Sequence, residues 1–565
     1  MKRLWPYAAI AAAAAAVWAP TLFVAQPGDS FPYDLNWSTQ FTHQVLSGNP
    51  YPRWTGASFD GLGAPTFYFY PPLGFWITGL IGAATGGWAS AALQVKLAEL
   101  AFFVLSGWSM FAWLRPQASV LAALLGAVAY MVAPYHLDDH YVRGAFAELS
   151  AFVALPVVGL GLLETARGAR WGPLRLAIGW AAVIFAHLPV ALLTGAMLVA
   201  PYGLFLLWQA RGGRLRFAAL GVGALAAGTA LAAIYLVPAL ALQGAISSDY
   251  WWSGRFQVAE RLLVNPASWR LPLEPFFGAL SLGAAIIAGV LGWRARKLGA
   301  WPAVFWACAT IVVFLAVAGL IPGFWSLPVM TKVQFPWRAL ALQDFALVTV
   351  LVIAPRPART PLVLIVFGAL IAGNLAAVAR DLAAGPAPRA EARAGYGVTT
   401  FPTDADAPEY LPAGMLRMTP DGPAPAADFA ALRARPLAAG SAVSAARSPD
   451  ATTGVVDMTL RSGATGQIVL RRFWFPSWRV TCDGQEVAAG PAGPERLVGF
   501  MPPGRAKTCR AVIGQTSQEG FGAILAAGGL ATMALYAIAA MLPRRRRSTL
   551  NQPSPAHPGE RRAPV

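Results

Sequence analysis

Apolar residues fall along this chain in long unbroken runs, separated by short polar turns rich in arginine. The runs cover approximately 4–24, 91–113, 118–134, 148–166, 174–189, 190–208, 217–243, 274–293, 300–320, 339–355, 361–380 and 520–542. Most approach the roughly 20 residues that a helix needs to cross a hydrocarbon layer of about 30 Å. Such runs must be helical in lipid, where no water satisfies open backbone groups. The pattern predicts an α-helical polytopic membrane protein with about twelve spans. One further apolar stretch, 73–85, is too short to cross with ease and reads as an interfacial helix.

Whether 73–85 crosses decides the side of everything after it, and the charges decide that question. If it does not cross and the N-terminus is inside, the cytoplasmic turns carry Arg115, Arg167, Arg170, Arg175, Arg211, Arg214, Arg216, Arg294, Arg296, Lys297, Arg356, Arg359 and Arg544 to Arg547. Every dense basic cluster then lies on one side, as the positive-inside rule asks. Both termini are therefore expected in the cytoplasm of a bacterial inner membrane. Met1–Val24 reads as an uncleaved first helix, because Trp18-Ala19-Pro20 is a poor small-residue cleavage site.

The external segments are then 25–90, 135–147, a tight turn near His187-Leu188-Pro189, 244–273, 321–338 and 381–519. In the last, alternating stretches 454–460, 467–471 and 478–482 are separated by Gly, Pro and Asp. They predict a small sandwich-like β domain from about 450 to 516, after a Pro- and Ala-rich leader. The expected organisation is a transmembrane domain over 1–380, an extracytoplasmic region over 381–519, a last span at 520–542 and a disordered cytoplasmic tail over 543–565.

Composition agrees with this picture. Of 565 residues, 56% are hydrophobic and 12% charged, against about 25% charged in soluble domains. The net charge of +17 sits at the ends of apolar runs, so it reads as topology signal and no nucleic-acid partner is expected. Cys308 lies in an apolar run and reads as packing. Cys482 and Cys509 fall in the external region, where a disulfide between them is one reading.

Three constellations could carry chemistry. Asp34, among aromatics in the first external loop, suits a general base toward an acceptor hydroxyl; helix capping is its alternative role. The run from Pro134 to Glu148 holds Asp138, Asp139, His140 and Arg143. Asp138, Asp139 and His140 could ligate a divalent cation such as Mg²⁺ or Mn²⁺, or the acids could form an ion-pair network with Arg143. Finally, Arg53-Trp54 and the run Lys332 to Arg338 place cations beside aromatics outside the bilayer. They could hold a lipid-linked phosphate and stack on sugars, or anchor the interface. His187, at a break between two runs, reads as a packing residue. No P-loop, GxSxG elbow, dinucleotide fingerprint or HExxH occurs.

Several motifs together carry a resemblance. They are Pro52-Arg53-Trp54, Gly61-Leu62-Gly63-Ala64-Pro65, Phe69-Tyr70-Pro71-Pro72-Leu73, Tyr141 to Glu148, Gln334-Phe335-Pro336-Trp337-Arg338 and Glu409-Tyr410-Leu411-Pro412, with Phe475-Pro476-Ser477-Trp478 late in the chain. The chain resembles the bacterial and archaeal membrane proteins called 6-pyruvoyl-tetrahydropterin synthase-related, and through its architecture the GT-C class of glycosyltransferases. The resemblance implies a GT-C-like bundle with an extracytoplasmic β-rich domain before the last helix. It implies transfer of a sugar from a polyprenyl-phosphate donor to a glycan, lipid or protein acceptor on the external face. Carried over, Asp34 would be the base, with Asp139 and Glu148 assisting. Arg53, Arg143, Lys332 and Arg338 would bind phosphate, and Trp54 and Tyr70 would line the substrate site. A flippase for a lipid-linked glycan and a non-catalytic assembly protein are the competing readings.

Overall fold

The computed structural model describes residues 4–23, 30–252, 256–271, 273–355, 361–384, 406–419, 422–463 and 465–542. The expected tail, 543–565, and the leader segment 385–405 lie outside them. The helices run in the order α1 (Trp5–Trp18), α2 (Phe31–Leu46), α3 (Leu73–Ala84), α4 (Ala91–Leu114), α5 (Val120–Met131), α6 (Pro134–Tyr141), α7 (Phe146–Ala166) and α8 (Gly172–Ala186). They continue with α9 (Leu188–Gln209), α10 (Arg214–Ala241), α11 (Glu274–Lys297), α12 (Trp301–Ala318), α13 (Leu340–Ile353), α14 (Pro361–Ala384) and α15 (Ser517–Met541).

Among the described residues ten helical segments are long and apolar enough to cross a membrane. The two other expected spans coincide with α8, of 15 residues, and α14, of 24. Helix α8 is about 22 Å long at 1.5 Å per residue, because the chain breaks at His187. The 12 residues of α3 reach only about 18 Å, so its length fits an interfacial helix better than a span.

Helices meet where side chains are small. A Cβ on Gly522 of α15 would stand 2.5 Å from the Ala233 carbonyl oxygen of α10. Lipid offers no hydrophobic drive for such pairing, so close backbone approach and dispersion supply it. Cys308 is exposed on the outer face of α12 instead of packed inside. An outward-facing thiol is tolerated where the surrounding solvent is apolar.

The β domain is a pair of antiparallel sheets. One orders its strands Ala438–Ala439, Ile468–Phe473, Leu497–Phe500 and Ala489–Ala492. The other orders Val443–Arg447, Val456–Leu460, Thr508–Ile513, Trp478–Cys482 and Gln485–Val487. The three expected strands are present. The domain starts at Ala438, earlier than the expected 450, because its first strands are short and alanine-rich, with little β signal. Cys482 and Cys509 are directly opposed in the register and form a disulfide that closes 27 residues of chain. Replacing both with alanine should cost the domain about 3–4 kcal/mol by the chain-entropy estimate, read as a lower thermal midpoint and faster proteolysis of the domain.

The segment between α2 and α3 is the dock for this domain and for the residues that lead into it. Gly56 N donates to Thr452 O at 2.7 Å, Phe473 N to Leu62 O at 2.8 Å, and Phe59 N to the Asp406 carboxylate at 2.8 Å. Arg433 pairs with Asp60 at 2.8 Å. A Cβ on Gly56 would stand 2.4 Å from both Ala451 O and Gly454 N, which are backbone atoms that cannot swing aside. Gly56→Ala should therefore loosen the dock by about 1–3 kcal/mol. Limited proteolysis between the β domain and the bundle is the measurement.

Candidate functional site

Helix α6 is where the structure departs most from expectation. The segment 135–147, expected as an external loop, opens with a helix buried along its whole length. A break at Val132–Ala133 starts it, with Pro134 in its first turn. That start leaves backbone donors without intrahelical partners. Asp344 of α13 supplies one, its carboxylate accepting from His136 N at 3.1 Å. Asn374 of α14 donates to Pro134 O at 3.1 Å. The His136 ring lies between Phe152 and Phe103, at centroid distances of 4.0 and 5.0 Å, and is held as a packing element.

Successive residues on a helix point about 100° apart, and this corrects the expected metal ligand set. Asp139 turns toward Arg143, His140 toward Thr21 at 3.0 Å and Glu99 at 3.7 Å, and Asp138 toward Asn374 and Asp344. Asp138, Asp139 and His140 do not converge. Among the described residues no group of three His, Cys, Asp or Glu is arranged to hold a metal ion.

What α6 builds instead is an ion-pair network. Arg143 Nη1 donates to Asp139 Oδ1 at 2.6 Å, Glu148 Oε2 at 2.8 Å and Tyr135 Oη at 2.9 Å. Tyr135 donates to Glu148 Oε1 at 2.6 Å. Arg338 Nε approaches the same Glu148 from the start of α13, at 3.4 Å. Its Nη1 donates to Val333 O at 2.8 Å and to Gln334 Oε1 at 3.1 Å. Gln334 has φ +66°, a strained conformation for a residue with a side chain. Its amide is tied to Trp251 O at 3.1 Å. Phe335 takes Arg338 at 4.8 Å and Arg261 at 5.2 Å from its ring centroid, and Arg261 is paired with the buried Glu274. The motif from Gln334 to Arg338 thus presents one guanidinium to Glu148.

Asp34 and this network both act on one residue, Tyr70. Helix α2 begins at Phe31, so Asp34 lies in its first turn and does not cap it. A carboxylate there is favoured by the helix dipole. Asp34 is 1% exposed. Half-buried Tyr70 packs its ring 4.7 Å from that of Trp37. Burial first, and then the charge of Asp34, pushes its phenol well above the ordinary value, while Arg338 and Arg143 partly offset this. Tyr70 therefore stays protonated and can donate. The structure brings together Asp34, Tyr70, Asp139, Arg143, Glu148 and Arg338.

Arg53, Trp54 and Lys332 are engaged elsewhere. Arg53 Nε pairs with Glu519 in the first turn of α15 at 2.9 Å, and its Nη2 donates to Ile234 O at 2.7 Å. The guanidinium covers the Tyr51 ring, whose hydroxyl burial pushes up to about 12. Trp54 is 1% exposed, with Trp478 and Phe475 of the β domain at 5.5 and 6.3 Å. Neither face of its ring is open to a sugar. Arg53 and Trp54 thus join the first loop to the last helix and the β domain, in place of the substrate contacts expected of them. Lys332 is exposed and lies 4.1 Å over the Trp252 ring.

Sequence reasoning missed Tyr135 and His187. Tyr135 was hidden by its place in an apparent loop. His187 is 9% exposed at the extended junction of α8 and α9, where the charges of Arg338, Glu148 and Arg143 all reach its ring. The available signal was a histidine followed by Leu188-Pro189 within apolar sequence.

A sequence profile described as "6-pyruvoyl-tetrahydropterin synthase related domain; membrane protein" matches residues 67–379, from the end of the first loop through α13 and most of α14. Asp34 and the β domain lie outside that range. No curated protein matches the chain. Among solved structures, arabinofuranosyltransferase AftD from mycobacteria is similar at 17% identity and a TM-score of 0.41, over 66% of this chain. A mutant of the same enzyme gives 18% and 0.40. This chain spans only 26% and 28% of the length of those two chains. With the profile match covering more than half of its length, the chain belongs to the 6-pyruvoyl-tetrahydropterin synthase related family of membrane proteins.

Proposed function

We propose that the protein is a membrane glycosyltransferase that moves a sugar from a polyprenyl-phosphate-linked donor to a glycan, lipid or protein acceptor on the extracytoplasmic face. The observation that supports this reading is that the Asp34 carboxylate and the Arg338 and Arg143 guanidiniums all act on the phenol of Tyr70. A proton acceptor and a pair of cations around one tyrosine are the groups that glycosyl transfer from a lipid phosphate requires. The acceptor hydroxyl attacks the anomeric carbon and passes its proton to Asp34. The bond from that carbon to the phosphate oxygen breaks, and the lipid phosphate leaves toward Arg338 and Arg143. Glu148 holds both guanidiniums in place before substrate arrives, so no reorganisation is needed during reaction. The concentration of basic residues in one set of turns supports an external site in a bacterial inner membrane.

The test is glycan profiling of a strain that lacks the protein. One modification should disappear, return with the wild-type chain, and stay absent with Asp34→Asn at equal membrane abundance. Full restoration by Asp34→Asn would overturn the role given to that carboxylate.

A further inference from the structure

His187 is a buried side chain beside the site that the fold leaves without a hydrogen bond among the described residues. Asp139, Tyr135, Glu148, Arg143 and Arg338 are bound to one another or to backbone. The His187 ring makes no hydrogen bond among the described residues, although the residue is nine-tenths buried. Its Nδ1 is fully enclosed, whereas Nε2 retains some solvent access. A buried imidazole without a partner is costly unless something else completes it.

Its position is fixed by backbone. His187 N donates to Val183 O at 2.9 Å, ending α8, and His187 O accepts from Ala191 N at 2.9 Å, starting α9. The ring is thus carried at a junction whose α9 side packs against the 3₁₀ turns Met330–Val333 and Pro336–Ala339, the second of which carries Arg338. The charges that reach it are Arg338, Glu148 and Arg143. A neutral imidazole can present one N–H.

We propose that His187 donates a hydrogen bond from Nε2 to a phosphate oxygen of the lipid-linked donor, next to Arg338, and keeps that bond as the lipid phosphate departs. This rests on the glycosyltransferase reading above. The two arginines supply charge, and His187 supplies an additional directed donor for the oxygen that gains charge when the sugar–oxygen bond breaks. An anion is favoured over a sugar hydroxyl as the partner, because the neighbouring guanidiniums raise the local potential where the ring opens.

The experiment uses the purified full-length protein in detergent with farnesyl phosphate, a short-chain mimic of the leaving group, and binding followed by calorimetry. His187→Ala should weaken binding about 10–100-fold, the value of a hydrogen bond to a charged group. His187→Gln, which retains an N–H donor, should stay within about 5-fold of wild type. Unchanged binding by His187→Ala, with binding lost in Arg338→Gln, would overturn the role of His187 and leave the glycosyltransferase reading standing. Equal loss in the Ala and Gln variants, with lowered thermal midpoints, would assign His187 to structure and also overturn the proposal. If the wild-type protein and Arg338→Gln bind farnesyl phosphate equally or not at all, the phosphate site itself is wrong and both readings fall.

Discussion

Asp34→Asn is expected to lower glycosyl transfer about 10²–10⁴-fold while leaving the folded protein in the membrane at its normal level. The range is the usual contribution of a positioned general base. Asparagine is nearly isosteric with aspartate and keeps a carbonyl oxygen, so the first turn of α2 should survive the change. What it loses is the ability to take the acceptor's proton and the negative charge felt by Tyr70. Donor binding should be little affected, because the arginines proposed to bind the phosphate are unchanged. A transfer assay with a lipid-linked sugar should therefore show the loss in turnover and not in the half-saturating donor concentration. A loss confined to half-saturation would mean that Asp34 binds substrate and is not the base.

The second large effect is expected at Arg143. One nitrogen of this guanidinium serves Asp139, Glu148 and Tyr135. All three partners are at most 1% exposed. Arg143→Met preserves much of the side-chain length but leaves two buried carboxylates without their main counter-charge. Removing one partner of a buried ion pair costs about 3–5 kcal/mol, mostly the penalty of the charge left behind. Thermal unfolding in detergent should fall accordingly, together with membrane abundance. The double variant Arg143→Met with Glu148→Gln should recover part of the stability, because one stranded charge is removed. It should not recover transfer, because Arg338 then has no carboxylate to hold it. A single variant within about 1 kcal/mol of wild type would show that the network is not a stabilising element of the bundle.

Much of the architecture was legible because it rests on local signals. Run length located nearly every span, and the shortness of 73–85 set that helix apart from them. Alternation located the strands 456–460, 468–473 and 478–482. The signal failed where chemistry and periodicity conflicted. His136, Asp138, Asp139 and His140 give α6 the polarity of a loop, yet it is buried, because Asp344, Asn374 and Thr21, from other parts of the chain, and Arg143, just past its end, bind several of its polar groups. The metal reading failed for a related reason: adjacency along the chain is divergence around a helix. Arg53-Trp54 looked like a binding motif because a cation beside an aromatic has the same appearance in a substrate site and in a domain seam.

The sequence by itself determined that this chain is a helical membrane protein with a small β domain before its last span, an acid between its first two spans and a second acidic run at the end of its third. Hydrophobic burial in lipid and backbone hydrogen bonding act over a few residues, so their pattern is written locally. Only the tertiary structure decided that Glu148 gathers Arg143 and Arg338, that Glu519 takes Arg53, and that the His187 ring makes no hydrogen bond among the described residues. A low-dielectric interior demands that each buried charge be paired, but not with which residue. That choice falls to whichever side chains the packed helices bring within reach, and these come from segments far apart in the chain.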